Sequence, residues 1–276
     1  MSLVSFRRSL SIFSKLSIIW SLYAGLVCAA PTEVLKEDKA IWEENFDQND
    51  KSTFCQKLLK DSHVSLVKNA GPDGSDAIRV AYVPCNRGSE RVVARCPLPS
   101  AMDEATLSFD VCFDREFVWA KGGKLHGLGP KFPITGGAER EPEGWSARVM
   151  FKEAGHCATY LYDQNKTKTY GIGNLSDKCV FQPGQWHRVV LHVRLNRPGK
   201  EDGSSQIFVD GHEVVKTDGV MFRADGGKDT MIHNFLFSTF HGGSTEDWSP
   251  RNPRGEPITV FALFDNFKVS DGQPVF

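Results

Sequence analysis

Leu107-Ser108-Phe109-Asp110-Val111-Cys112-Phe113-Asp114 carries an apolar side chain at every odd position and a small or acidic one at three of the four even positions. Side chains of an extended chain point alternately to opposite faces, so this run predicts a strand with one face in a core and the other toward water. The pattern recurs on both sides of it. Val189, Leu191, Val193 and Leu195 alternate with Arg188, Val190, His192 and Arg194. Residues 206–209, then Asp210-Gly211, then residues 212–215 read as a hairpin closed by an Asp-Gly turn. Residues 235–240 and 260–269 add further strands, and the best helical candidate is a short piece at 54–59. Many short strands with Gly- and Pro-containing turns and almost no helix predict an all-β fold, an antiparallel two-sheet β-jelly roll (sandwich).

The 276 residues are 40% hydrophobic and 24% charged, with 25 Gly and 14 Pro, which excludes a disordered, collagenous or multi-span membrane chain. Arg7, Arg8 and Lys15 precede an apolar run at 16–27 that ends in Cys28, Ala29 and Ala30, so residues 1–30 read as a secretory signal and 31–276 as one jelly-roll domain. No other segment approaches the roughly twenty apolar residues of a membrane helix. Loss of those three basic residues takes the balance from 33 basic and 34 acidic to 30 and 34, a formal charge of −4. An anionic partner therefore has to be held by a local cluster of Lys and Arg. Cys55, Cys85, Cys96, Cys112, Cys157 and Cys179 are even in number and would be exported, which favours disulfides over a metal site, since no CxxC or Cys/His spacing is present. The sequons at Asn165 and Asn174 fit the same compartment. The expected protein is a secreted, extracellular, disulfide-bonded glycoprotein, monomeric, with no nucleic-acid or membrane partner.

Three segments gather polar groups. Lys121-Gly122-Gly123-Lys124-Leu125-His126-Gly127-Leu128-Gly129 sets two lysines among four glycines, which reads as a loop able to bring backbone and cations close to an anion, or as a solvated turn. In Trp145-Ser146-Ala147-Arg148-Val149-Met150-Phe151-Lys152, alternation sends Ala147, Val149 and Phe151 to the core and leaves Ser146, Arg148 and Lys152 on the other face. Tyr160 and Tyr162 share a face across Leu161, and a connection containing Gly155 lets the two runs pair as neighbouring strands with one joint polar surface. Exposed basic residues and strand tyrosines are also ordinary features of a solvated sheet.

These runs, with Phe237-Ser238-Thr239-Phe240-His241-Gly242-Gly243-Ser244 and Phe264-Asp265-Asn266-Phe267, resemble polysaccharide lyase family 14, the alginate lyases of molluscs and an algal virus, related to the glucuronan lyases. The resemblance spans roughly residues 113–269 with the motifs in order. It implies a jelly roll whose concave groove binds a polyuronate and cleaves it by β-elimination, a reaction that itself requires no cofactor, and no residue spacing marks a metal site. It assigns Lys124, Ser146, Arg148, Tyr160 and Tyr162 to catalysis; the residue reading itself adds Lys121, His126 and Lys152, from the basic loop and strand face, and His241, beside two glycines, as substrate-binding candidates. One departure is visible: His126 stands where the family pattern has proline after Lys-Leu, adding a titratable group.

The residue types suit that chemistry. Elimination removes the C5 proton of a uronate and expels the O4-linked sugar, so negative charge grows toward the C6 carboxylate. Lys124 and Arg148 suit its neutralisation, Arg through a bidentate fork. Ser146 can hydrogen-bond to it. Surrounding cations are expected to favour phenolate, making Tyr160 or Tyr162 the base, with Lys124 the other candidate. Two rival functions are a glycoside hydrolase, which needs paired carboxylates, and a lectin-like module, for which Trp145, Trp186 and Trp248 would be stacking platforms. The substrate expected is alginate, mannuronate-rich, with glucuronan or another polyuronate as alternative.

Overall fold

The computed structural model describes residues 39–48, 51–165 and 168–276, so the expected leader lies outside the described residues. The first half runs β1 (Ala40–Glu44), α1 (Thr53–Leu58), β2 (Val64–Val67), β3 (Ala77–Tyr82), β4 (Pro84–Cys85), β5 (Gly88–Ser89), β6 (Val92–Met102), β7 (Glu104–Phe113) and β8 (Gly123–Gly129). The second half runs β9 (Ser146–Phe151), β10 (His156–Tyr162), β11 (Leu175–Cys179), β12 (Trp186–Arg194), β13 (Gly203–Val209), β14 (His212–Val220), β15 (Ile232–His241) and β16 (Val260–Asp271). One sheet has the order β14-β13-β12-β7-β16-β3-β2, with β1 also on β16, and the other has β11-β10-β9-β8-β15-β6. All the pairings are antiparallel. The fold is the expected jelly roll.

The alternation read at residues 107–113 holds: Leu107, Phe109, Val111 and Phe113 are in the core. Facing them from the other sheet are Leu125, Ala147, Val149, Phe151, Phe235 and Phe237, so both sheets bury one stripe against each other. The Asp-Gly hairpin joins β13 to β14, and Asp210 at φ 51° and Gly211 at φ 79° supply the two positive φ angles that such a turn requires. Ser52 caps α1, its hydroxyl oxygen accepting from the Cys55 N–H at 2.9 Å.

Residues 123–129 form a central strand, not the expected loop. Glycine is there because neighbours come too close for a side chain. A Cβ on Gly123 would lie 2.2 Å from the Phe240 carbonyl oxygen, and one on Gly127 would lie 2.1 Å from that of Ala147 and 2.5 Å from Cγ of Arg148. The strand also carries a bulge. Lys124 opposes Met150 and Gly127 opposes Arg148, so Leu125 and His126 together face Val149.

That extra residue turns His126 inward. It is fully buried against the rings of Phe109, Phe237 and Phe264, which corrects its expected place at the substrate. Its Nδ1 accepts from the Ser238 N–H, Nε2 has no partner among the described residues, and burial holds its pKa well below the ordinary histidine value. His241 is corrected likewise: it stacks on Phe117, its Nε2 donates to the Val118 carbonyl at 2.7 Å, and burial lowers its pKa to about 4. Trp145 is also interior, donating from Nε1 to the Thr230 carbonyl at 2.7 Å, and is no sugar platform.

The two neutral rings set a pH dependence of stability. Above about 6.5 a histidine is neutral whether folded or unfolded, so neither ring contributes. Below that value the unfolded chain binds protons that the folded one refuses, and stability falls by up to ~1.4 kcal/mol per pH unit for each ring. Denaturant unfolding at pH 7 and pH 5 should show this loss, and His126→Phe should make it smaller. An unchanged pH dependence in that variant would show that His126 does not contribute.

None of the six cysteines forms a disulfide. Cys55, Cys112 and Cys157 are buried, and burial pushes all three thiols up in pKa, so they act as small apolar groups where cross-links were expected.

Candidate active site

The face of the β8–β9–β10 sheet turned away from the core floors a groove of about 830 Å³. Register builds its centre. Arg148 pairs with Tyr160 across β9–β10 and with Gly127 across β9–β8, while Lys124 pairs with Met150 on one side and Phe240 of β15 on the other. The Arg148 stem lies over Gly127, which has no side chain to displace it. Lys124 Nζ then sits 4.5 Å from the centroid of the Tyr160 ring, and the Arg148 guanidinium lies 5.2 Å from the same ring.

Among the described residues six cations line the groove: Arg87, Arg91, Lys124, Arg148, Lys152 and Lys168. Among the same residues no carboxylate lines it, and none of the six forms an ion pair. Basic residues elsewhere commonly do, as in Arg79–Asp114, Lys131–Asp229 and Arg188–Asp110. Arg148 is the most costly of these groups. The residue is 5% exposed, and its Nε has no hydrogen-bond partner among the described residues. A buried guanidinium without a counter-charge loses hydration that nothing in the protein replaces.

Burial and charge move the titrating groups in opposite directions. Lys124 is lowered to about 7, first by loss of water and then by repulsion from Arg148, Lys152 and Arg91. It is therefore an amine partly neutral near pH 7. Tyr160 is raised above the ordinary phenol value, first by burial and then by its hydrogen bond and charge coupling to Tyr162, with Arg148 opposing. The expectation that cations favour a phenolate fails here because burial outweighs them. Tyr160 is a phenol, a donor.

The remaining expected residues divide. Lys152 lines the groove. Tyr162 is fully buried beside it, its hydroxyl oxygen accepting from the Gly137 N–H at 2.8 Å and lying 3.4 Å from the Tyr160 hydroxyl. Ser146 is fully buried and donates its hydroxyl to the Ile134 carbonyl at 2.7 Å, away from the lining. Lys121 points outward into an ion pair with Asp247 and does not line the groove. Arg87 and Arg91 were not found by the sequence reading. They reach the groove because Gly88, with φ 108° and a Cβ position 2.2 Å from the His241 carbonyl oxygen, lets β5 close onto the end of β15. Gly88 between the two arginines was the one local signal. The carboxylates Asp110 and Asp114, which share a strand face and could be taken for the pair a hydrolase needs, lie on β7 of the opposite sheet or just beyond it and pair with Arg188 and Arg79.

The family model described as polysaccharide lyase 14 matches residues 86–256. No curated protein matches the chain. Among solved structures, alginate lyase Aly36B in complex with an alginate tetrasaccharide superposes with a TM-score of 0.61 at 22% identity, over 75% of this chain and 84% of that one. The PL-14 alginate lyase from Aplysia kurodai gives 0.60 at 19%, over 84% and 99%. The endo-β-1,4-glucuronan lyase from the fungus Trichoderma reesei gives 0.56 at 14%, over 84% and 96%. At these identities the likeness shows the fold.

Proposed function

The chain belongs to polysaccharide lyase family 14, and from that premise we propose that it cleaves mannuronate-rich alginate, or a related polyuronate such as glucuronan, by β-elimination in this groove. The observation that carries the reading is the buried, unpaired Arg148 among five further cations, with no carboxylate among the described residues that line the groove. A polyuronate supplies the missing counter-charges at every sugar. Arg148 holds the C6 carboxylate and stabilises the charge that grows on it as the C5 proton leaves. The neutral amine of Lys124 takes that proton. The C4–O4 bond breaks as the C4–C5 double bond forms, and the Tyr160 phenol protonates O4. Proton return from the Lys124 ammonium to the phenolate restores both groups. Tyr162 and Ser146 act from beneath, positioning Tyr160 and the 134–137 segment.

Stereochemistry supports the choice of sugar. In β-D-mannuronate and β-D-glucuronate, H5 and O4 leave from the same face of the ring, whereas in α-L-guluronate they leave from opposite faces. Lys124 Nζ lies 4.5 Å from the centroid of the Tyr160 ring, so the base and the acid stand side by side, which suits a same-face elimination. We propose as well that residues 31–276 act as one secreted, monomeric domain after removal of residues 1–30. A continuous ultraviolet assay for unsaturated uronate on polymannuronate, glucuronan and polyguluronate tests the chemistry. Rising absorbance on the first or second, and little on the third, is expected. A flat trace on all three, with binding retained, would make the protein a carbohydrate-binding module instead.

Binding itself should depend on salt. The Debye length falls from ~30 Å at 0.01 M to ~8 Å at 0.15 M ionic strength. Affinity of the inactive Lys124→Arg protein for polymannuronate is therefore expected to drop by about tenfold or more over that range. Salt-independent binding, measured by titration calorimetry, would point to aromatic stacking as the main attraction.

A further inference from the structure

Trp248 ends the short 3-10 turn Glu246–Trp248 between β15 and β16 and is half-buried. Its indole faces two groove cations at once: Lys124 Nζ is 5.8 Å and Lys152 Nζ 5.1 Å from the ring centroid. The ring lies directly on the backbone of Gly243, where a Cβ would come within 2.2 Å of indole atoms. Two ion pairs fasten the turn. Asp247 pairs with Lys121, just ahead of the strand that carries Lys124, and Glu246 pairs with Arg251 at 3.3 Å. Lys121, which points away from the groove, thus acquires a place in its construction.

We propose that Trp248 is a positioning residue for Lys124, its indole roofing the side-chain nitrogen against water while the Lys121–Asp247 and Glu246–Arg251 pairs hold the roof closed. The inference rests on the reading of Lys124 as the base. Around Lys124 the other apolar walls are the Tyr160 ring at 4.5 Å and the Phe240 ring at 5.9 Å. The groups that face it from the packed elements are Arg148 of β9, Lys152 beyond it, Arg91 ahead of β6 and the Tyr160 phenol of β10. Trp248 exerts two opposed effects. Attraction of an ammonium to an indole face favours the charged form, whereas exclusion of water favours the neutral one. Loss of water is the largest influence on Lys124, and the proposal gives Trp248 a share in that exclusion, so the roof favours the free amine.

The test reads the ionisation of Lys124 directly, by NMR titration of protein labelled with 13C-lysine, the signal being assigned by its loss in Lys124→Arg. Trp248→Ala and Gly243→Ala, the second displacing the indole without removing it, should raise the Lys124 midpoint by about one pH unit or more. Trp248→Phe should restore most of the wild-type value, and Asp247→Asn should give a smaller rise in the same direction. The acidic limb of the kcat/KM profile should move with each midpoint. An unchanged midpoint in folded Trp248→Ala overturns the proposal, and a raised KM at unchanged midpoint would make Trp248 a sugar platform. If Trp248→Ala does not fold, the surface change Asp247→Asn decides, an unmoved midpoint again overturning the roof. The expected NMR shifts in a protein without eliminase activity would remove the lyase reading and leave the roof standing.

Discussion

Lys124→Arg is expected to lower kcat/KM for uronate elimination by about 10²–10⁴-fold, the range a positioned proton acceptor contributes, while polymer binding stays within a few-fold of wild type. The substitution keeps the positive charge and most of the length. It removes the neutral form, because a guanidinium does not deprotonate in the working range. The free amine at this position exists because burial and three neighbouring cations bring Lys124 to about 7. The wild-type kcat/KM profile should accordingly fall on the acid side of about 7. Titration calorimetry and initial rates on the same polymannuronate separate the two effects. Activity within tenfold of wild type in Lys124→Arg would show that Lys124 supplies charge alone and that the base lies elsewhere.

Tyr160→Phe should cost a comparable ~10²–10⁴-fold, since it deletes the proton donor to O4 and leaves the ring on which Lys124 and Arg148 rest. Tyr162→Phe is the informative contrast. Its hydroxyl is buried, accepts from Gly137 and touches Tyr160 at 3.4 Å, so its loss removes support worth about 0.5–1.5 kcal/mol, or up to roughly tenfold in rate. The two variants should therefore differ by an order of magnitude or more in initial ultraviolet rate. Equal losses would place Tyr162 in the proton path beside Tyr160. A loss confined to Tyr162→Phe would exchange their roles.

Much of the centre was legible in one dimension. Alternation put Ala147, Val149 and Phe151 inside and Arg148 outside, and the short connection through Gly155 made Arg148 and Tyr160 neighbours across a ladder. The same alternation, continued from the buried Phe235 and Phe237, sends His241 to the core and Phe240 to the groove, so that signal was present though the Gly-rich context obscured it. His126 was not legible. A single extra residue in β8 reverses the face of everything after it, and nothing in Lys124-Leu125-His126-Gly127 marks where the bulge falls.

The sequence alone determined β7, β9, β10 and β12 to β16, the faces of β9 and β10, the Asp-Gly hairpin and the set of residue types able to carry an elimination. These depend on periodicity and on neighbours a few residues apart, which a linear pattern records. The tertiary structure alone decided which cations go unpaired, that Arg87, Arg91 and Trp248 join Lys124, and that Tyr160 stays a phenol while Lys124 approaches neutrality. Those outcomes are set by excluded water and by charges arriving from distant strands. Their strength depends on distance and burial in space, quantities that residue order does not contain.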